Sequence, residues 1–417
     1  MRGWPSCGTR RCATWGWTRR GEPARAATAV NGLPEADWLN LLIGWLQSGQ
    51  LALLRLLDAL GLADRVHGQP AWPWALRLSG ENLLIDLGQA RRLALTAVLL
   101  GLAVVVLLVA AAWRRPRWYL AALVPMLLIV APWPDAAVVL VPAHPTSFHR
   151  SASGFTAASI AQGQALYAQH CVACHGADGR GQGPLAAAQP VWPPNLTGPL
   201  LWRRADGDLL WHVLHGVQDA KGRRTMPAFG ATLDEADAWA LIDFMKAQGA
   251  GQTLRAAGFW AQPVGLPDAL VHCRDRPPRP LASWRGQRVR LVAAQPQAAV
   301  PAEDPRLVTV VVRPAEEGAR PSDDGCVLAS AAAWDALALI AGTDRLAGTQ
   351  LIADRDGWLR ARSTPGQAGW SDDDLLCRTG TASGAPADAR PSLDGLGALI
   401  ARMDAEPVRF VKGGFVH

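Results

Sequence analysis

The sequence predicts a multidomain chain: transmembrane α-helices, then an all-α domain, then a C-terminal α/β domain. Three observations predict it. Leu93 to Trp113 carries no charge, a run long enough to cross a ~30 Å hydrocarbon core as helix. Residues 156–252 read as helix, cysteine motif, loop, helix, Met-Pro loop, helix. From Gly265 onward, short apolar runs of buried-strand type mix with helical patterns.

Length and composition set the frame. With 417 residues, roughly two to four domains are expected. Half of the residues are hydrophobic and 18% are charged, so a membrane portion is expected. The formal charge is +6, and Lys occurs only at 221, 246 and 412. The Arg residues form no basic, aromatic-interleaved run, so no nucleic-acid partner is expected. Seven Cys are too few for a disulfide scaffold in a chain this long.

Residues 1–37 form an Arg-rich irregular leader containing Cys7 and Cys12. No apolar core of signal-peptide type directly follows Arg19-Arg20. Residues 38–63 are Leu-rich. Asn40, Gly44, Gln47, Ser48, Arg55 and Asp58 recur at helical steps, so the helix is amphipathic. It could lie in the interface or span with its polar stripe against other helices. The 93–113 run is followed by Arg114, Arg115, Pro116 and Arg117. A second apolar run, 118–133, carries Trp118, Tyr119 and Trp133 as interface anchors. Together they predict a transmembrane hairpin within a membrane region spanning 38–133. Residues 134–155 read as a linker, with His144 and His149 expected to be solvated or to form a weak metal-capture point.

The all-α domain holds the chemistry. Cys171-Val172-Ala173-Cys174-His175 is a C-x-x-C-H motif, the spacing of c-type haem attachment. Two thiols at that spacing can form thioethers to the porphyrin vinyl groups. The next residue then lies under the iron, so His175 can ligate it. A Met sulfur on the other face would complete six-coordination and raise the potential, and Met226-Pro227 lies downstream. C-x-x-C also serves dithiol redox pairs and zinc sites. A redox pair is usually followed by helix, whereas Gly-Ala-Asp-Gly-Arg-Gly-Gln-Gly follows here. A zinc site needs a second pair, which His212 and His215 could supply at i, i+3.

Elsewhere in this domain, Ile160, Gly163 and Tyr167 share a helical face. Thr232-Leu233-Asp234-Glu235 has the capping-box pattern. Ala240, Leu241, Phe244 and Met245 form the last helix's stripe, which places Met245 in the core. The small Gly163 facing an aromatic residue suits crossed helices. The 176–184 glycines serve backbone geometry in a turn-rich loop.

These residues resemble class I cytochrome c: Gly163 and Tyr167, Cys171 to His175, Gly176, Met226-Pro227-Ala228-Phe229 and the Trp239–Phe244 helix. The resemblance implies His175 as proximal and Met226 as distal ligand of one covalent haem c, bound through Cys171 and Cys174. His212 and His215 are rival distal ligands. Haem is attached on the outer side of the bacterial inner membrane, so residues after 134 are expected in the periplasm. The Arg114–Arg117 turn is then cytoplasmic, as the positive-inside rule prefers. The Arg-rich leader favours a third crossing at 38–60, while Arg91 and Arg92 oppose it.

In residues 265–417, strands are expected at 288–293 and 307–312, a helix at 329–341 and a hairpin at 350–362 turning at Asp356-Gly357. A final helix is expected near 396–403. This order resembles a thioredoxin-like domain, entered through Ser283-Trp284-Arg285-Gly286. Gln295-Pro296-Gln297-Ala298 stands where that fold's C-x-x-C would be, so dithiol chemistry is not expected. The pairing of Cys273, Cys326 and Cys377 is not readable from sequence.

Residues 93–251, notably Ala143-His144-Pro145-Thr146-Ser147-Phe148, resemble copper-resistance D family membrane proteins with a C-terminal cytochrome c domain. The two apolar runs contain no His or Cys and only Met126, so copper translocation by this chain alone is not expected. The expectation is a membrane-anchored periplasmic c-type cytochrome with no catalytic residues, an electron carrier rather than an enzyme. Its expected partners are redox proteins, lipid and a larger membrane complex. The alternatives are a copper-handling membrane protein with an accessory cytochrome c domain, or a haem-containing adaptor.

Overall fold

A computed structural model describes residues 35–412 except 114, 116, 275, 296–297, 299, 315–324, 368, 378–393 and 410. The Arg-rich stretch 1–34, with Cys7 and Cys12, lies outside the described residues, as do Arg114, Pro116, Pro296 and Gln297. The chain builds an N-terminal helical unit, a helical domain and a large C-terminal sheet domain.

The N-terminal unit starts with α1 (Glu35–Ala59), followed by the short pair β1 (Arg65–Val66) and β2 (Gln69–Pro70), then β3 (Leu76–Leu78). Next come α2 (Leu87–Ala112), α3 (Arg117–Val130), the single turn α4 (Ala136–Val139) and β4 (Leu140–Pro142). Asp86 caps α2 by accepting the Gln89 N–H at 3.1 Å. The α2–α3 connection is short, and the two helices pack together. Among the described residues, α2 is the one helix long and apolar enough to cross a membrane. At 14 residues, α3 extends about 21 Å and contains Pro125, which removes a helical hydrogen bond. The second apolar run is thus helical over a shorter stretch than 118–133.

Strands β3 and β4 pair antiparallel, Leu76 opposite Pro142, and so close the base of the α2–α3 hairpin. The stretch read as a linker is therefore built into the fold. Thr146, Ser147 and His149 are buried. Thr146 Oγ1 donates to the Gly207 carbonyl at 2.6 Å. Neither linker histidine is a solvated tether: His149 is buried, and His144 stacks on Trp211, ring centroids 5.2 Å apart.

The helical domain comprises α5 (Ala157–His170), α6 (Val172–His175), α7 (Pro199–Arg203), α8 (Asp206–His215), the pair β5 (Val217–Gln218) and β6 (Arg224–Met226), and α9 (Glu235–Ala257). Helices α5 and α9 cross at Gly163. A Cβ there would lie 2.0 Å from the Ala240 carbonyl oxygen and 2.8 Å from Phe244 Cβ, so only glycine permits this approach. The cap of α9 is shifted from the expected one. Asp234 accepts the Asp237 N–H at 2.8 Å, and Asp237 accepts the Asp234 N–H at 3.3 Å. Thr232 instead donates to the Phe229 carbonyl.

The C-terminal domain contains β7 (Val264–Gly265), β8 (Leu270–Cys273), β9 (Arg279–Pro280), β10 (Val289–Ala293), β11 (Val308–Arg313), β12 (Cys326–Ala329), α10 (Ala331–Ile340), β13 (Gln350–Ala353), β14 (Trp358–Ser363) and α11 (Gly395–Ala405). Eight strands form one sheet, ordered β7-β14-β13-β10-β11-β12-β8-β9. β10, β11 and β12 run parallel, and the flanking pairs are antiparallel. The expected strands, hairpin and helices stand close to their predicted places. β7, β8, β9 and β12 were not legible, because strands of two to four residues are too short to show a pattern. Cys273 and Cys326 are register partners on β8 and β12 and form a disulfide, while Cys377 is a buried thiol.

One face of the sheet carries α10, which packs directly on α5 and α9. A Cβ on Gly251 would lie 1.8 Å from the Leu339 carbonyl oxygen, and Arg255 pairs with Asp344 at 2.7 Å. A single hydrophobic core therefore runs from the helical domain into the sheet. A smaller core under α11 holds Leu399, Met403 and Ile352.

Candidate haem-binding site

The cysteine motif sits at a helix junction. Cys171 ends α5, donating its N–H to the Tyr167 carbonyl at 2.9 Å, and begins α6. The single turn of α6 brings Cys174 and His175 round, and both N–H groups donate to the Cys171 carbonyl, at 3.2 and 2.9 Å. Gly176, at φ +77°, stops the turn. The glycine loop then folds beneath it. Gly181 N–H donates to the His175 carbonyl and Gly183 N–H to the Cys174 carbonyl. Its glycines serve backbone packing: a Cβ on Gly183 would meet two carbonyl oxygens at 2.5 Å.

Met226 arrives from the β5–β6 pair, where it is the register partner of Val217. Gly216, at φ +75°, ends α8, and a Cβ there would lie 2.6 Å from the Met226 carbonyl oxygen. Phe229 N–H and Gly230 N–H donate to the Val213 and Leu214 carbonyls, pinning the Met loop to α8. Cys171, Cys174, His175 and Met226 all line one cavity of about 380 Å³. Its walls include Leu209, Val213, Leu241 and Met245; Met245 is buried in the core, as expected, and borders the cavity as well.

The rival ligands separate. His212 lines the cavity. His215 is outside it, exposed and stacked on Trp211 at 3.6 Å. Burial pushes the His212 pKa down to about 4, helped by His144 and Arg204. Sequence reasoning missed the Val191–Leu196 wall and Arg204, which also line the cavity. The signal available was the rigid Trp192-Pro193-Pro194 run after the glycine loop.

The residues present fit a haem. Cys171 and Cys174 are free thiols, and burial, then Cys174, pushes the Cys171 thiol up to about 11. Burial lowers the His175 pKa, opposed by the Pro194 carbonyl. That direction favours the neutral imidazole that metal ligation requires. Its Nδ1 is buried and has no hydrogen-bond partner among the described residues. Two free sulfurs, a neutral imidazole, a thioether and apolar walls are the donor set that haem c attachment requires.

Residues 158–245 match the family described as cytochrome c oxidase, cbb3-type, subunit III. No curated protein matches the chain. A solved reducing HAO-like protein complex from Kuenenia stuttgartiensis is similar at 21% identity with a TM-score of 0.21. The likeness covers 33% of this chain and 62% of that one; at that score it carries no argument. The family match spans less than a quarter of the 417 residues and includes both the cysteine motif and Met226. Residues 158–245 are therefore a cytochrome c domain, and the role they carry is haem-based electron transfer.

Proposed function

We propose that this chain is a membrane-anchored electron carrier with one haem c, attached through Cys171 and Cys174 and ligated by His175 and Met226. The observation that carries this reading is the convergence of all four side chains on one cavity. Bound there, haem supplies a one-electron ferric/ferrous couple. The chain's own residues hold it and set its environment. His175 presents a neutral imidazole. Met226 offers a thioether, which favours the ferrous state. Leu209, Val213 and Leu241 keep water out, and His212 stays uncharged beside the iron site.

Helix α2, charge-free from Leu93 on, inserts with α3 as a hairpin. The β3–β4 pairing keeps both hairpin roots on one side, together with the cytochrome and sheet domains. Haem attachment puts that side in the periplasm and the Arg115–Arg117 turn in the cytoplasm. The strand order β14-β13-β10-β11, with one parallel and two antiparallel pairings, supports a thioredoxin-like core that lacks a C-x-x-C. Its contact with α5 and α9 suits a structural or docking role.

The test is haem retention. Protein from a strain able to attach haem c should keep its haem through acid–acetone extraction and give a reduced c-type spectrum. Cys171→Ala or Cys174→Ala should reduce or abolish stable attachment. Haem that washes out of the wild type overturns the reading.

A further inference from the structure

Helix α1 presents three faces. With about 100° of turn per residue, Leu39, Ile43, Gln50 and Leu54 share one face, and all are buried. They pack on the unit around β3 and the hairpin roots, where Leu83, Ala90 and Val139 complete the cluster. Gln50 belongs to this face because its amide is satisfied, donating to the Leu46 and Leu78 carbonyls and accepting the Leu78 N–H. A second face carries Gln47, Ser48, Arg55 and Asp58. The third carries Leu41, Trp45, Leu53 and Leu56, continued by Leu60 just past the helix end, exposed by 41 to 81%. This apolar stripe is about 120° wide, and no charged residue interrupts it between Leu41 and Leu60.

A contiguous apolar stripe of this length is seldom left in water. Crossing the membrane is not its purpose. Arg55 and the Asp58–Arg65 ion pair, 2.9 Å, would then enter hydrocarbon, which is costly for charged groups. Among the described residues no neighbouring span covers them: α1 packs on β2 and β3 and meets α2 at that helix's first turns, Leu87 to Leu93. Protein on one face, apolar surface on the third, and between them a polar face where Ser48 and Arg55 are exposed, Gln47 donates to the Lys412 carbonyl and Asp58 pairs with Arg65, is the pattern of a helix lying in the bilayer interface. The lipid is also at hand. The residues gripping α1's buried face bracket the roots of the hairpin, and Ile85, beside them, is 75% exposed.

We propose that α1 lies in the outer membrane–water interface with its Leu41–Leu60 stripe in lipid, as a second anchor beside the hairpin. This rests on the membrane reading above. Because the same unit is locked to the cytochrome domain through Arg77 and Asp208, 2.7 Å apart, two anchors fix that domain's height and tilt over the bilayer.

The test uses the full haem-loaded chain in nanodiscs of phosphatidylethanolamine and phosphatidylglycerol, with Cys7, Cys12 and Cys377 replaced by Ser and haem content as the folding check. Nitroxides are placed by Leu56→Cys, Ser48→Cys or Val105→Cys, and accessibility to oxygen and to a nickel chelate is compared. Val105 should be deep. Leu56 should be shallow, with an oxygen-to-nickel ratio several-fold above that of Ser48. A water-like Leu56 with a deep Val105 overturns the inference and leaves the membrane reading standing. A water-like Val105 overturns the membrane reading itself. Leu56 as deep as Val105, with Ser48 also in lipid, means a spanning helix and overturns the proposal. So does spin–spin broadening between Leu56 labels of two copies, which would make the stripe a self-association surface.

Discussion

Arg77 and Asp208 form an ion pair in which both side chains are only 8% exposed, Nη2 to Oδ2 2.7 Å. Arg77 also reaches Glu81 at 2.7 Å, and Asp208 accepts the Ser147 hydroxyl. One residue is on β3 and the other in the first turn of α8, the helix that carries Leu209, His212 and Val213 to the cavity. Removing one partner strands the other charge. Arg77→Met is therefore expected to cost about 3–5 kcal/mol, read as a lower guanidinium midpoint of the haem Soret signal. Arg77→Met with Asp208→Leu should recover part of it. An unchanged midpoint in the single variant would show that the pair contributes nothing to stability.

Met226→Ala should remove the weak far-red charge-transfer band of ferric Met-ligated haem and lower the midpoint potential, because the thioether favours ferrous iron. Redox titration with the ferric spectrum checks both. A band that survives the substitution assigns the sixth ligand elsewhere. A wild type with no such band points to His212, the rival that shares the cavity.

Gly163 is the tightest point of the α5–α9 crossing. Gly163→Ala would place a methyl 2.0 Å from a backbone oxygen that has little freedom to move. Overpacking of this kind typically costs about 1–3 kcal/mol. The thermal midpoint should fall while haem stays attached, since Cys171 and Cys174 lie beyond the crossing. A midpoint equal to wild type would mean that the helices slide apart freely.

Local chemistry explains what could be read in advance. C-x-x-C-H, the Met-Pro pair, Gly163 and the α9 stripe are set by neighbours within a few residues, so the site's principal groups were legible. The strands 288–293 and 307–312 were legible as buried apolar runs. What sequence could not show depends on long-range placement. His144 reads as a linker residue until Trp211, 67 positions away, stacks on it. His212 and His215 are only about 60° apart on a helical wheel, and the packing of α8 decides which faces the cavity. The α1 polar stripe was visible, but its opposition to a buried face and an exposed apolar one required β3 and the hairpin roots.

Asp206 opens α8 and meets two cations, Lys246 Nζ at 2.7 Å and Lys412 Nζ at 2.8 Å. Burial alone would raise its pKa, but the two ammonium groups together hold it down at about 2. A carboxylate depressed on folding adds stability that is fully present above its unfolded pKa, ~3.9, and is lost as pH falls through the folded value. Asp206→Asn should therefore be less stable than wild type at pH 7, with the gap closing between about pH 4 and pH 2. Lys412, whose own pKa burial lowers, is left without its partner in that variant. Parallel stability curves across this window would exclude the linkage.

The Cys273–Cys326 disulfide joins β8 to β12 across a sequence separation of 53 residues. In the chain-entropy account, closing a loop of that length stabilises by about 4 kcal/mol. Cys377 plays no such part. It is a buried thiol pushed up to about 12 by burial, so almost none of it is thiolate at neutral pH and it should react with thiol reagents only after unfolding. Neither feature touches the haem cavity. Replacing Cys273 and Cys326 by Ser should lower the unfolding midpoint substantially. Replacing Cys377 by Ser as well should leave the spectrum, the potential and electron transfer with a natural donor unchanged. Slower electron transfer at full haem content and intact fold would instead make the sheet domain an active redox partner of the haem.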